Sequence, residues 1–91
     1  MIVERTKEFE QSVKKLKDKV AIGRLNLLLE KLKNANNLKD ISNAESISGY
    51  PFIYRIRTGN YRLIVKYLDG AITILLLEYI KRNEKTYRNY N

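Results

Sequence analysis

Residues 52–79 read FIYRIRTGNYRLIVKYLDGAITILLLEY, and the two turn signals inside this stretch decide the fold. Phe52 to Arg57 alternates apolar and polar residues, Thr58-Gly59-Asn60 turns, and Tyr61 to Leu68 alternates again. Asp69-Gly70 turns a second time, and Ala71 to Tyr79 is an almost continuous apolar run. Asp-Gly between two such runs is a strong hairpin signal, because both central residues of a type I′ turn need positive φ. The expectation is three consecutive antiparallel strands.

Two-residue turns fix a register. Gly59-Asn60 then pairs Thr58 with Tyr61, Arg57 with Arg62 and Ile56 with Leu63, while Asp69-Gly70 pairs Leu68 with Ala71, Leu63 with Leu76 and Arg62 with Leu77. Side chains alternate across a strand, so Tyr54, Ile56, Leu63, Val65, Ile74 and Leu76 share an apolar face ready for helices. Arg55, Arg57, Arg62 and Lys66 share the other face, beside Leu75, Leu77 and Tyr79. Two arginines directly opposite each other destabilise a sheet, by roughly 0.2–1 kcal/mol in ordinary cross-strand terms. Such a conflict makes sense where an anion arrives to neutralise it, and guanidinium forks match phosphate well. The competing reading is a solvated basic face with the arginines splayed and paired to Glu78 or Glu84.

Upstream, Ile2-Val3 suggests a first strand. Thr6 can cap a helix whose face is Phe9, Val13, Leu16 and Val20, at spacings of four, three and four. Asp18 offers a second N-cap, followed by Ile22, Leu25, Leu28, Leu29 and Leu32 on another amphipathic helix. Asn34-Ala35-Asn36-Asn37 suits a left-handed C-terminal cap. Leu38 to Tyr50 reads as a loop with room for one turn of structure, closed by Pro51. Lys81 to Tyr90 is charged and aromatic and suggests a short tail helix. The order is β-α-α-β-β-β plus that helix, an α+β fold with two helices packed on an antiparallel-rich sheet, as one domain over residues 1–91.

Composition narrows the function. Eighteen Lys and Arg against ten Asp and Glu give a net charge of +8, which favours polyanionic partners. With no cysteine and no histidine, disulfide scaffolds and Cys- or His-based metal sites and nucleophiles are excluded, and no metal or cofactor is expected. Charge enters at once after Met1, the longest apolar run is too short to span a bilayer, and a cytoplasmic location without membrane contact is expected. The third strand ends at the same end of the sheet as Arg57 and Arg62, which delivers Arg82 to the cluster. Tyr87, in a polar segment with no core stripe, can stack on a base.

Tyr54-Arg55-Ile56-Arg57, then Gly59-Asn60-Tyr61-Arg62-Leu63-Ile64-Val65, then an apolar strand ending in Ile80-Lys81-Arg82, then Tyr87, resembles the RelE/ParE superfamily of toxin–antitoxin toxins, in its RelE-like branch. The resemblance implies a ribosome-dependent endoribonuclease that cuts messenger RNA in the decoding site, with the 2′-hydroxyl as nucleophile. It implies that Arg55 and Arg57 are the strand basics that hold the scissile phosphate, Arg62 the arginine of the Tyr-Arg element, and Arg82 and Tyr87 the tail pair. It also implies a cognate antitoxin, the ribosome and its mRNA as partners, and operator DNA bound only by the toxin–antitoxin complex.

Two departures leave the proton acceptor open. Arg55 stands where RelE-type members have a lysine proposed as general base, and an arginine with a pKa above about 12 is a poor base. Lys81 replaces a histidine common near the tail arginine. Lys81, Glu78, Glu84 and Tyr87 are the remaining candidates, or catalysis is chiefly electrostatic and positional. A ParE-like gyrase inhibitor and a non-catalytic module that binds RNA or antitoxin are the alternative functions. The first would dispense with the strand arginines and the tail tyrosine. The second would bind ribosomes without cutting.

Overall fold

A computed structural model gives the structure of the chain, described here for residues 1–68 and 70–82. The strands are β1 (Ile2–Arg5), β2 (Ala44–Ile47), β3 (Tyr50–Thr58), β4 (Tyr61–Lys66) and β5 (Thr73–Lys81), and the helices are α1 (Lys7–Lys14) and α2 (Lys19–Asn34). The five strands form one sheet in the order β1-β5-β4-β3-β2. β1 runs parallel to β5 and every other pairing is antiparallel. This is the expected α+β arrangement with both helices on one face. The expected tail helix lies outside the described residues, apart from Lys81, which ends β5, and Arg82 in the turn after it.

Capping explains where the helices begin. Thr6 accepts from the Phe9 N–H at 3.1 Å and donates its hydroxyl to the Leu76 carbonyl at 2.7 Å, so one side chain starts α1 and ties it to β5. Asp18 starts α2 by accepting from the N–H groups of Val20 and Ala21. Val20 is therefore in the first turn of α2 and exposed, rather than on the buried face of α1, since the chain bends between them. No left-handed cap closes α2. Ala35 is extended, and the Met1 nitrogen donates to the carbonyls of Leu32, Lys33 and Ala35 instead, satisfying acceptors that a helix end leaves open.

The core is Phe9 with Leu25, Leu28, Leu29 and Leu32 of α2 against Ile56, Leu63, Val65, Ile74, Leu76 and Tyr79 of the sheet. All of these are buried, and fully burying such a side chain contributes about 1.5–3 kcal/mol.

Register between β3 and β4 is as expected, with Thr58 opposite Tyr61, Arg57 opposite Arg62 and Ile56 opposite Leu63. Between β4 and β5 it is not. Leu63 faces Tyr79, Val65 faces Leu76 and Arg62 faces Ile80, with a bulge that leaves Leu77 as the extra residue. The turn at Gly70 does form, with the Ala71 N–H bonded to the Leu68 carbonyl at 2.9 Å, but the ladder resumes only at Lys66 and Leu75. The bulge reverses the alternation beyond Leu77, since one added residue exchanges the faces. Tyr79 moves to the core face and Glu78 to the arginine face. β1 ends at Arg5, so the Tyr79 N–H lies beyond its reach and is taken by the Ser12 hydroxyl at 3.0 Å.

A second correction concerns Leu38 to Tyr50. The single turn is there, a 3₁₀ helix at Leu38–Asp40, but Ala44–Ile47 adds an edge strand to β3. Pro51 sits inside β3 rather than closing a loop.

Candidate functional site

Arg57 and Arg62 are cross-strand partners on the face away from the helices, at the end of the sheet where Gly59 makes the β3–β4 turn at φ +59°. Arg55 lies two residues along β3, also on that face. The edge strand β2 supplies what the sequence reading missed. Glu45, opposite Arg55, places one carboxylate oxygen 3.1 Å from Arg55 Nη2 and 3.5 Å from Arg57 Nη2. Among the described residues Glu45 is the carboxylate seen paired with these two arginines, a role that the competing reading of a solvated face gave to Glu78 or Glu84. Glu45 and Arg57 are 46% and 58% exposed in their side chains, so the pair is worth at most about 1 kcal/mol. Arg55 is more covered, and its Nε is buried without a hydrogen-bond partner among the described residues.

The arginine face is not bare. Ile53, Ile64 and Glu78 on it are buried, Glu78 at 4% exposure. A row runs across the sheet from Glu45 through Arg55 and Ile64 to Glu78.

Arg82 arrives where expected. Its N–H donates to the Asn60 carbonyl at 2.7 Å, which draws the end of β5 to the β3–β4 turn. Arg62, Lys81 and Arg82 then line an open cleft of about 600 Å³ with Asn60, Tyr61 and Asp18. Among the described residues, three cations and one carboxylate line that cleft and make it electropositive. Of the acceptor candidates, Lys81 is exposed in this cleft and Glu78 is buried. Glu84 and Tyr87 lie outside the described residues.

Behind the cleft, Tyr61 stacks on Tyr79 with ring centroids 5.0 Å apart. The Tyr79 hydroxyl donates to the Ala21 carbonyl of α2 at 2.9 Å. Burial, and next the adjacent Tyr61, push the Tyr79 phenol up from 10.0 to about 12. It therefore stays neutral at ordinary pH and acts as a strut between helix and sheet. A second residue absent from the sequence reading is Arg24 of α2, whose guanidinium lies against Gly59. Its only sequence signal is a cation on the polar side of an amphipathic helix, which many helices share.

No family model matches the chain. Over 41 residues it is 44% identical to toxin RelE3 of Methanocaldococcus jannaschii, a match covering 44% of this chain and 47% of that protein. The matched stretch thus spans about half the length of that curated relative. Among solved structures, the RelB-RelE antitoxin-toxin complex from Methanococcus jannaschii superposes with a TM-score of 0.72 at 26% identity, covering 87% of this chain and 89% of that one. The Escherichia coli RelBE toxin-antitoxin complex shares the fold, with a TM-score of 0.66 at 16% identity over 91% of this chain and 98% of that one. In fold and in sequence the chain is thus similar to RelE toxins.

Proposed function

We propose that the chain is the toxin of a toxin–antitoxin pair, a ribosome-dependent endoribonuclease that cuts messenger RNA and so inhibits translation. The observation that carries this reading is the pairing of Arg57 with Arg62, with Arg55 beside them, on the sheet face turned away from the core. A fold optimised for stability alone would not set two arginines opposite each other on adjacent strands. A phosphodiester placed between them would remove the repulsion.

In the proposed reaction the ribose 2′-oxygen attacks the adjacent phosphorus, its proton passes to an acceptor, and the bond from phosphorus to the 5′-oxygen breaks. A proton from solvent joins the departing 5′-oxygen, so the cut leaves a 2′,3′-cyclic phosphate and a 5′-hydroxyl. Charge builds on the non-bridging oxygens, where Arg57 and Arg62 stabilise it, with Arg55 and Arg82 flanking. Glu45 is the internal counter-ion that the phosphate displaces from Arg55 and Arg57. Lys81 is taken as the proton acceptor on its position, because it lines the cleft shared with Arg62 and Arg82. Tyr87 would stack on a base, and the ribosome would align the 2′-hydroxyl. A cognate antitoxin would cover this face, and operator DNA would be bound by the pair rather than by the toxin. The RelE chains of similar fold occur in complexes with RelB antitoxin, which supports the partner assignment.

The test is a translating cytoplasmic extract in which 5′ ends are mapped on ribosome-bound message. The expected result is new ends inside the message that disappear with Arg62→Ala and with Tyr87→Phe. Intact message with loss of DNA supercoiling would point to gyrase. Ribosome binding without cleavage would sink the catalytic assignment.

A further inference from the structure

Arg24 and Lys31 lie seven residues apart on α2, two helical turns, and so share one side of it. Leu27 stands between them with 67% of its surface exposed. These residues meet the sheet. Together with Asn43, Arg57, Thr58 and Gly59 they line an open cleft of about 420 Å³ whose wall holds no carboxylate among the described residues. The contact at its rim is tight, because a Cβ on Gly59 would collide with the Arg24 guanidinium. Gly59 therefore answers two demands. Its φ of +59° is one that asparagine also tolerates, but the space that Arg24 fills is open only above a glycine.

Arg57 belongs to this cleft and also to the pair with Arg62. The cationic surface thus continues from the sheet face around the β3–β4 turn and onto the outer side of α2. Leu27 adds an apolar contact of the kind a ribose or base edge can use, flanked by charges suited to phosphate.

We propose that Arg24 and Lys31, adjoining Arg57, form a second backbone-phosphate subsite for single-stranded RNA, next to the one between Arg57 and Arg62. It rests on the nucleic-acid reading above and extends it, giving the strand a path off the sheet and over α2. An acidic protein segment is the rival occupant. Continuity favours RNA, since Arg57 is common to both subsites and one strand presents successive phosphates.

The experiment compares two RNA probes on the purified full chain, a dinucleotide and a single strand of about eight nucleotides, titrated at several salt concentrations. In the wild type the longer probe binds more tightly. Arg24→Gln is expected to lower the ratio of the two affinities about tenfold and to reduce the salt slope for the long probe by about 0.7. Gly59→Asn keeps the turn and the net charge but evicts the Arg24 guanidinium, so it should lower the same ratio. A ratio unchanged in both variants overturns the subsite while leaving the central site standing, provided that Arg62→Gln still weakens the dinucleotide. Failure of the wild type to bind either probe overturns both readings. Loss of binding to an acidic peptide in Arg24→Gln, with the RNA ratio intact, also overturns the proposal in favour of a protein partner.

Discussion

Arg57 of β3 and Arg62 of β4 are direct cross-strand neighbours, and the Arg57 guanidinium reaches sideways to Glu45 rather than across to any acid on β4. The like-charge pair is a local cost retained in the fold. Replacing Arg62 with threonine, a residue suited to strands, should therefore stabilise the protein by about 0.2–1 kcal/mol. The measurement is the denaturant midpoint at low salt, and affinity for RNA should fall in the same variant. A loss of stability in Arg62→Thr would mean that the arginine pair supports the sheet.

Glu45 competes with an incoming phosphate for Arg55 and Arg57. Glu45→Gln removes that competition and should raise affinity for a short RNA by roughly threefold to tenfold, with stability changed by less than about 1 kcal/mol. Equilibrium titration and cleavage assays on this variant divide two roles. Tighter binding with cleavage retained fits a displaced counter-ion. Unchanged binding with cleavage abolished would make Glu45 the proton acceptor.

Asp18 has two jobs that substitution can separate. It caps α2 through Val20 and Ala21, and its carboxylate lines the cleft of Arg62, Lys81 and Arg82. Asparagine caps about as well as aspartate, whereas alanine costs about 0.5–2 kcal/mol. Asp18→Asn should thus melt within a few degrees of the wild type. It should also bind RNA roughly threefold more tightly, the effect of removing one charge at ~6 Å in a water-like medium. Asp18→Ala should share the gain in binding but melt lower.

Tyr79 makes stability depend on alkaline pH. Its folded-state pKa, about 12, lies above the unfolded value of 10.0, so the folded chain holds the phenolic proton more tightly. That contribution is fully present below pH 10 and is lost as pH rises from 10 through 12, a fall of roughly 2–3 kcal/mol. Denaturation series across this window should show the slope in the wild type and a reduced one in Tyr79→Phe. That variant also lacks the bond to Ala21 and should be less stable by about 0.5–1.5 kcal/mol at neutral pH.

Legibility varied along the chain for physical reasons. The β3–β4 register could be read because Gly59-Asn60 is a short turn between runs whose alternation admits one pairing, and that alone placed Arg57 opposite Arg62. The β4–β5 register could not. Ala71 to Tyr79 is apolar on both sides, so its composition gives no phase, and nothing in it announces the bulge at Leu77. That bulge put Tyr79 in the core and Glu78 on the arginine face. β2 was missed because Ala44-Glu45-Ser46-Ile47 has few strand-favouring residues and owes its pairing to β3. With β2 went Glu45. Arg24 was missed because its significance comes from Gly59, distant in sequence, leaving room for it.

The central claim is that the paired arginines grip the scissile phosphate. Its most direct measurement is the yield of new 5′ ends on ribosome-bound message from the Arg57→Gln/Arg62→Gln double variant, set beside the wild type, with thermal denaturation confirming that both are folded. The expected result is a folded variant whose cleavage is lower by at least about 100-fold. Cleavage at the wild-type level by that variant would contradict the claim.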